Sequence, residues 1–182
     1  NPISYLVGFN CSGCPVKVLS LNGEFVRSYI ACYTHSIDVL AWTSNSYNMG
    51  HYMGDNAQSI YAELAYRPVR GLLLKMSYTN DTKYNSYAYQ RDNIGKTISQ
   101  KPFDHCIYRN NELRLDGIFE PHPNMYLTLS VGYNHAQGFD NLKENALPSE
   151  DIGNAQHYLD KFCPLYYQGK NLYVQGAFSF GF

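Results

Sequence analysis

The stretch Leu172-Tyr173-Val174-Gln175-Gly176-Ala177-Phe178-Ser179-Phe180-Gly181-Phe182 alternates between apolar and small or polar residues without a break. Side chains of an extended strand point to its two faces in turn. Leu172, Val174, Gly176, Phe178, Phe180 and Phe182 therefore share one face, and Tyr173, Gln175, Ala177, Ser179 and Gly181 the other. A helix would scatter both sets. Alternation of this kind is found in half-buried strands of soluble sheets and in the walls of membrane barrels alike, so the remaining strands must decide between them.

Six further segments follow the same rule. Ile3, Tyr5, Val7 and Phe9 oppose Ser4, Leu6, Gly8 and Asn10. Leu19, Leu21, Phe25 and Tyr29 oppose Ser20, Asn22, Glu24 and Ser28. Ile60, Ala62, Leu64 and Tyr66 oppose Tyr61, Glu63, Ala65 and Arg67, and Leu72, Leu74, Met76 and Tyr78 oppose Leu73, Lys75, Ser77 and Thr79. Leu113, Leu115, Gly117 and Phe119 oppose Glu112, Arg114, Asp116 and Glu120. Met125, Leu127, Leu129, Val131 and Tyr133 oppose Tyr126, Thr128, Ser130, Gly132 and Asn134. Three connections, 10–15, 68–71 and 121–124, are compact and rich in glycine, proline or asparagine. Between them lie long polar connections at 36–59, 80–105 and 136–170. Outer-membrane barrels join short periplasmic turns to long external loops in this order. The predicted fold is accordingly all-β, an antiparallel transmembrane β-barrel with about seven strands present. Such barrels have an even strand count with both ends periplasmic, so residues 1–182 are expected to form a single barrel domain incomplete on its N-terminal side.

The placement of the aromatics favours lipid over a soluble core. Tyr5, Phe9, Tyr29, Tyr66, Tyr78, Phe119, Tyr133 and Phe182 lie toward strand ends on the apolar parity, as interfacial girdles do. Composition agrees: eighteen tyrosines and fourteen glycines stand against one tryptophan, a bias toward strands and turns. The formal net charge of −1 supplies no basic field for nucleic acid, which is excluded as a partner. No run approaches the roughly twenty apolar residues of a transmembrane helix, and a barrel needs none. The first residues, Asn1-Pro2-Ile3, show no secretory signal pattern.

The residues that carry chemistry form no catalytic constellation. There is no GxSxG, P-loop or GxGxxG pattern. The pairs Asp116 with Glu120 and Glu144 with Glu150 lack the framing that glycoside chemistry requires, and the histidines lack HExxH spacing. A non-enzyme without cofactor or metal is expected. Cys11-Ser12-Gly13-Cys14 has no matching second pair for zinc, so a Cys11–Cys14 disulfide or two free thiols is expected, and Cys106–Cys163 is a second candidate bridge between outer loops. Arg27 is the one charge on the lipid parity; at the midplane it would cost about 2–4 kcal/mol, so it is placed near the outer rim, where lipopolysaccharide phosphates can pair with it.

Two sets of residues are candidates for ligand binding. In the lumen, Glu63, Arg67, Lys75, Arg114 and Asp116 form a ladder of both signs, which serves either as a substrate track or to close the interior. In the first long loop, Trp42, Tyr47, His51, Tyr52, Asp55 and Asn56 combine rings with amides and carboxylates, the chemistry that binds sugars. The same residues would also serve to fold the loop over the lumen, with Gly50 and Gly54 at its bends.

The segment Asn48-Met49-Gly50-His51-Tyr52-Met53-Gly54-Asp55-Asn56-Ala57, followed by Tyr66-Arg67-Pro68-Val69-Arg70-Gly71-Leu72, resembles the C-terminal region of outer-membrane barrels from Bacteroidota, in the capsule-assembly (Wzi-type) and gliding-motility (RemB-type) group. Arg27 to His35 resembles the strand that leads into that loop, although Ser28-Tyr29-Ile30-Ala31-Cys32 departs from the pattern. The resemblance covers 24–78 and the last strand. It implies surface polysaccharide assembly or surface attachment, with outer-membrane lipid, lipopolysaccharide, surface polysaccharide and other envelope proteins as partners. A passive diffusion porin or transporter, and a secreted soluble β-barrel binding an apolar ligand, are the alternatives.

Overall fold

In a computed structural model, which describes residues 3–30, 32–33, 43–44, 47–84, 102–140 and 155–181, the chain forms an antiparallel sheet of seven strands and one α-helix. In chain order the elements are β1 (Ser4–Ser12), β2 (Leu19–Ser28), the two-residue strands β3 (Thr43–Ser44) and β4 (Tyr47–Asn48), β5 (Ala57–Tyr66), β6 (Leu72–Tyr84), β7 (Cys106–His122), β8 (Met125–Gly138), α1 (Ala155–Phe162) and β9 (Gly169–Phe180). The main sheet runs β1-β2-β5-β6-β7-β8-β9, each strand beside the next, while β3 and β4 pair only with each other. All seven alternating segments are strands, so the all-β prediction holds. The sheet is open at β1 and β9, and its closure into a barrel belongs to the proposal made below.

The three short connections lie at one end of the sheet and the three long ones at the other. At the short end the turns close on residues suited to left-handed backbone: Gly13 (φ +74°), Gly71 (φ +82°) and Asn124 (φ +66°). Asparagine tolerates this conformation better than other non-glycine residues because its short amide bonds locally. Gly71 also has a packing reason, since a Cβ there would lie 2.9 Å from the Glu120 carbonyl oxygen.

Register carries the sequence alternation across the whole sheet. Leu74 stands opposite Gly117 and Gly117 opposite Leu129, which faces Gly176, so one face is apolar from strand to strand. On the other face Lys75 stands opposite Asp116, then Ser130, then Gln175. The apolar face is the open one: Leu129 is 58%, Phe178 61% and Leu172 74% exposed. Ser130 and Asn134, on the polar face of the same β8, are 2% and 0% exposed. Two glycines in these rows lie beneath rings, Gly23 under Phe9 on the apolar face and Gly132 under Tyr173 on the polar face. Each ring covers backbone that would otherwise be bare.

The buried apolar cluster is small and sits at the long-loop end. It joins Met53, Ala57, Ile107, Tyr108, Ala136, Tyr158 and Cys163, with Leu159, Phe162 and Tyr167 beside it. The helix α1 supplies Tyr158 and Phe162 four residues apart on one helical face; the Phe162 ring lies 5.3 Å from that of Tyr108. Asp140 Oδ1 accepts the Ala155 N–H at 2.5 Å at the helix start, and Asn134 Nδ2 donates to the Tyr167 carbonyl at 2.8 Å. Since Tyr108, Asn134 and Ala136 are polar-face positions by register, α1 roofs that face. Its eight residues were expected as irregular loop. No helix among the described residues is long and apolar enough to cross a membrane.

All five cysteines are free thiols, which for Cys11 and Cys14 is one of the two expected states, whereas the candidate Cys106–Cys163 bridge is not formed. Cys106 is not in a loop but opens β7, where its Sγ bonds the Tyr108 carbonyl at 3.4 Å. Cys163 instead meets the Tyr108 hydroxyl beneath α1, and burial pushes its thiol up. Cys11 and Cys14 are in hydrogen-bond contact as thiols.

Tyr158 is 1% exposed and anchors the roof. Tyr158→Ala is expected to cost about 3 kcal/mol of local stability. Native-state hydrogen exchange should show the α1 amides losing protection while those of β6 and β7 keep theirs.

Candidate functional site

The polar face carries a connected ladder of charge and hydroxyl groups. Lys75 Nζ lies 2.6 Å from Glu63 Oε2, and the Tyr61 hydroxyl donates to the same oxygen at 2.9 Å. Lys75 stands opposite Asp116 in register. Arg114 Nε donates to Asp116 Oδ1 at 2.8 Å, and its Nη2 reaches Ser130 Oγ at 3.3 Å. The Ser130 hydroxyl donates in turn to Asp116, and the Tyr173 hydroxyl to Glu112. Adjacent strands place these groups at alternate positions, so they meet across the sheet as cross-strand pairs do. Charge is compensated in the pairs Lys75–Glu63 and Arg114–Asp116, while Glu112 is held by the Tyr173 hydroxyl.

The first long loop returns over the same face above this ladder. Asp55 Oδ1 accepts the Tyr33 N–H at 2.7 Å, and the Asp55 carbonyl accepts from Lys83 Nζ. Asn56 is 1% exposed with φ +50°, and its Oδ1 accepts the Phe103 N–H at 2.9 Å. These two residues tie segments 29–33, 102–105 and β6 together. The His51 and Tyr52 rings lie 4.5 Å apart, and the Tyr52 ring is open while its hydroxyl reaches Asp81. Asp81 is itself held by the Ser59 hydroxyl at 2.5 Å. Burial pushes the Tyr52 hydroxyl well above the ordinary phenol range, and the Asp81 carboxylate adds to the rise.

The candidate residues thus divide into groups. His51, Tyr52, Asp55 and Asn56 converge at the long-loop end. Glu63, Lys75, Arg114 and Asp116 join the ladder. Arg67 does not: it lies past the end of β5 at the short-turn end, exposed, its N–H bonded to the Val18 carbonyl at 2.8 Å. There it borders, with Arg70, Glu120 and Tyr126, a cavity of about 520 Å³. Period-two counting places Arg67 on the polar parity, but the strand ends one residue earlier and the parity no longer applies. Tyr47 lies in β4, and Trp42 lies outside the described residues. Sequence reading omitted Ser59, Asp81 and Lys83, which hold the loop down, because the stretches 36–59 and 80–105 read as loop throughout.

Among the described residues no three His, Cys, Asp or Glu side chains are grouped to hold a metal ion. What the arrangement offers is an array of hydroxyl, amide and paired charged groups beneath a half-buried His51 and an exposed Tyr52, suited to binding a polyhydroxylated molecule or to sealing the polar face. Comparison of the chain with family models, with curated proteins and with solved structures yields no match.

Burial holds the His51 imidazole below its ordinary value of 6.5, with Lys83 adding to the drop and Asp81 opposing it. The folded loop therefore takes up the proton less readily than the unfolded chain does. The loop's stability is full above about pH 6.5 and declines as the pH falls through and below that value. Hydrogen exchange of residues 50–56 should accelerate relative to β7 between about pH 7 and about pH 5, and His51→Gln should remove that difference.

Proposed function

We propose that the chain is a non-enzymatic part of an outer-membrane β-barrel, with its long loops at the cell surface, serving assembly or retention of surface polysaccharide or surface attachment within the cell envelope. The observation that carries the membrane part is the inversion of burial across β5 to β8: apolar side chains occupy their more open face and most charged ones the shielded face, while in β2 Phe25 is half-buried and Glu24 exposed. Burying an apolar side chain is worth about 1.5–3 kcal/mol. A sheet that leaves Leu74, Leu113, Leu115, Leu127 and Leu129 open is stabilised when that face meets hydrocarbon. The dimensions fit. From Met125 to Tyr133 the apolar parity of β8 runs about 26 Å along the strand at ~3.3 Å per residue, against an outer-membrane apolar band of about 25 Å before strand tilt is allowed for. Strands beyond the β1 and β9 edges would complete the wall.

The polysaccharide role rests on the resemblance to the capsule-assembly and gliding-motility barrels, and on the His51–Tyr52 pair set above hydroxyl and carboxylate groups. The roof of α1 and the 49–56 loop, together with the compensated ladder, favours a closed interior over a wide conducting one. Lipopolysaccharide and other envelope proteins are the partners this reading brings.

The chain, expressed with whatever leader it carries, should float with phospholipid vesicles and resist alkaline extraction. A monodisperse species without detergent would contradict the membrane reading. In planar bilayers no steady current is expected, and steady ion flux would favour a porin instead. Cells lacking the protein should lose surface-polysaccharide staining; unchanged staining would set aside that role. Leu129→Arg should cost about 2–4 kcal/mol of folding free energy in vesicles, measured by urea titration. In a water-facing site the same change would be close to neutral.

A further inference from the structure

Register assigns each charged strand residue to a face, and the result is one-sided. Every aspartate and glutamate of the main sheet lies on the polar parity: Glu24, Glu63, Asp81, Glu112 and Asp116, with Glu120 following them past Phe119. The cations divide. Lys75, Lys83 and Arg114 accompany the acids, whereas Arg27, Arg109 and Lys170 lie on the apolar parity. Sequence reading placed Arg27 alone there, because β7 and β9 begin earlier than their alternation suggested, and those extensions carry Arg109 and Lys170.

These three cations all fall at the long-loop margin of the apolar face. Arg27 stands opposite Gln58, which is opposite Thr82, then Arg109, then Gln137. One position nearer the middle of the sheet, Asn80 stands opposite Asn111, then His135, then Lys170. Beyond this margin toward the short turns, the apolar parity of the central strands carries no charge. Arg109 and Lys170 are exposed, and Arg27 and His135 are half-buried. The Arg27 guanidinium lies 3.7 Å from the centroid of the Phe103 ring, which is flanked edge-on by Tyr29 and Tyr84. A guanidinium stacked by its face keeps its edge for a planar or tetrahedral anion, and among the described strand residues no carboxylate shares this face.

We propose that this margin binds the phosphate groups of anionic outer-leaflet lipid, with Arg27 and Gln58 forming one subsite and Arg109, His135 and Lys170 another. The assignment rests on the barrel reading above and deepens it. In that setting the acyl chains lie along the Leu and Val rows while the headgroup phosphates stand level with the cations. The amides of Asn80, Asn111 and Gln137 serve sugar or glycerol hydroxyls. Charge complementarity fixes the occupant, since cations without neighbouring acids on an apolar wall select a lipid whose polar end is negative. The proximity of Tyr78, Tyr84 and Tyr133 to the same level matches the interfacial position of aromatic rings.

The test uses the full chain stripped of lipid in neutral detergent and reconstituted into phosphatidylcholine nanodiscs with or without lipid A, with bound lipid A counted by native mass spectrometry. Arg27→Gln, Arg109→Gln and Lys170→Gln should each weaken retention about fivefold, and the triple variant on the order of a hundredfold. Lys17→Gln, an exposed change in the short β1–β2 turn, should leave retention unchanged, and inorganic phosphate should not displace the lipid. Equal retention by the parent and triple variant, both inserted, would overturn the proposal alone, as would displacement by inorganic phosphate. Failure of the parent to enter either disc would overturn the barrel reading and the proposal with it.

Discussion

Everything in this sheet depends on one constraint: successive residues of a strand must point to opposite faces, and seven strands keep that parity in register. A slip of one residue in any pairing would carry its whole apolar set to the other side. With the register observed, Lys75 meets Asp116 and Asp116 meets Ser130, while Leu74, Gly117 and Leu129 share the opposite surface. The same parity that builds the ladder therefore builds the apolar wall, and neither exists without the other. Segregation of charge follows the same rule, and in the proposed membrane setting a carboxylate in the middle of the apolar wall would have no water to offset it.

The ladder and the roof are different devices with a common effect. In the middle of the sheet, short ion pairs and hydroxyls compensate one another directly, as Arg114, Asp116 and Ser130 do. Nearer the long loops, compensation comes from connecting segments: Lys83 bonds the Asp55 carbonyl, Asn134 bonds the Tyr167 carbonyl, and Tyr108 receives Phe162 and Cys163. Buried polar groups need partners wherever water is withdrawn, and the loops supply them where no neighbouring strand does. The small apolar cluster under α1 is thus a clamp on the loop end, while the larger apolar surface of the described residues is the open face of the sheet.

The central rows were legible in the sequence because apolar and polar residues alternate there with few exceptions, Leu73 and Ile118 among them. The outer parts of β6, β7 and β8 were not, for a related reason. Around Asn80-Asp81-Thr82-Lys83 and Arg109-Asn110-Asn111 both parities are polar, so period two leaves no mark, although the backbone ladder continues. Position, not hydropathy, tells Arg109 from Asp81. The helix was missed because only Tyr158, Leu159 and Phe162 carry its pattern, inside a long polar connection. In the candidate site, Glu63, Lys75, Arg114 and Asp116 were found by parity and Asp55 with Asn56 by loop chemistry. The partners that fix them, Tyr61, Ser130 and Lys83, become visible only with register. The candidate Cys106–Cys163 bridge required two cysteines to meet that instead meet Tyr108 by different atoms.

The central claim is that the apolar face of β8 contacts hydrocarbon while its polar face is enclosed. Nitroxide labels placed one at a time from Tyr126 to Tyr133 in the vesicle-inserted chain, with relaxation by oxygen compared with that by a water-soluble nickel chelate, test it most directly. The account predicts that oxygen accessibility peaks at Leu127, Leu129 and Val131, with nickel accessibility out of phase or low throughout. Labels at Leu127, Leu129 and Val131 that respond to nickel as strongly as those in a surface loop would contradict it.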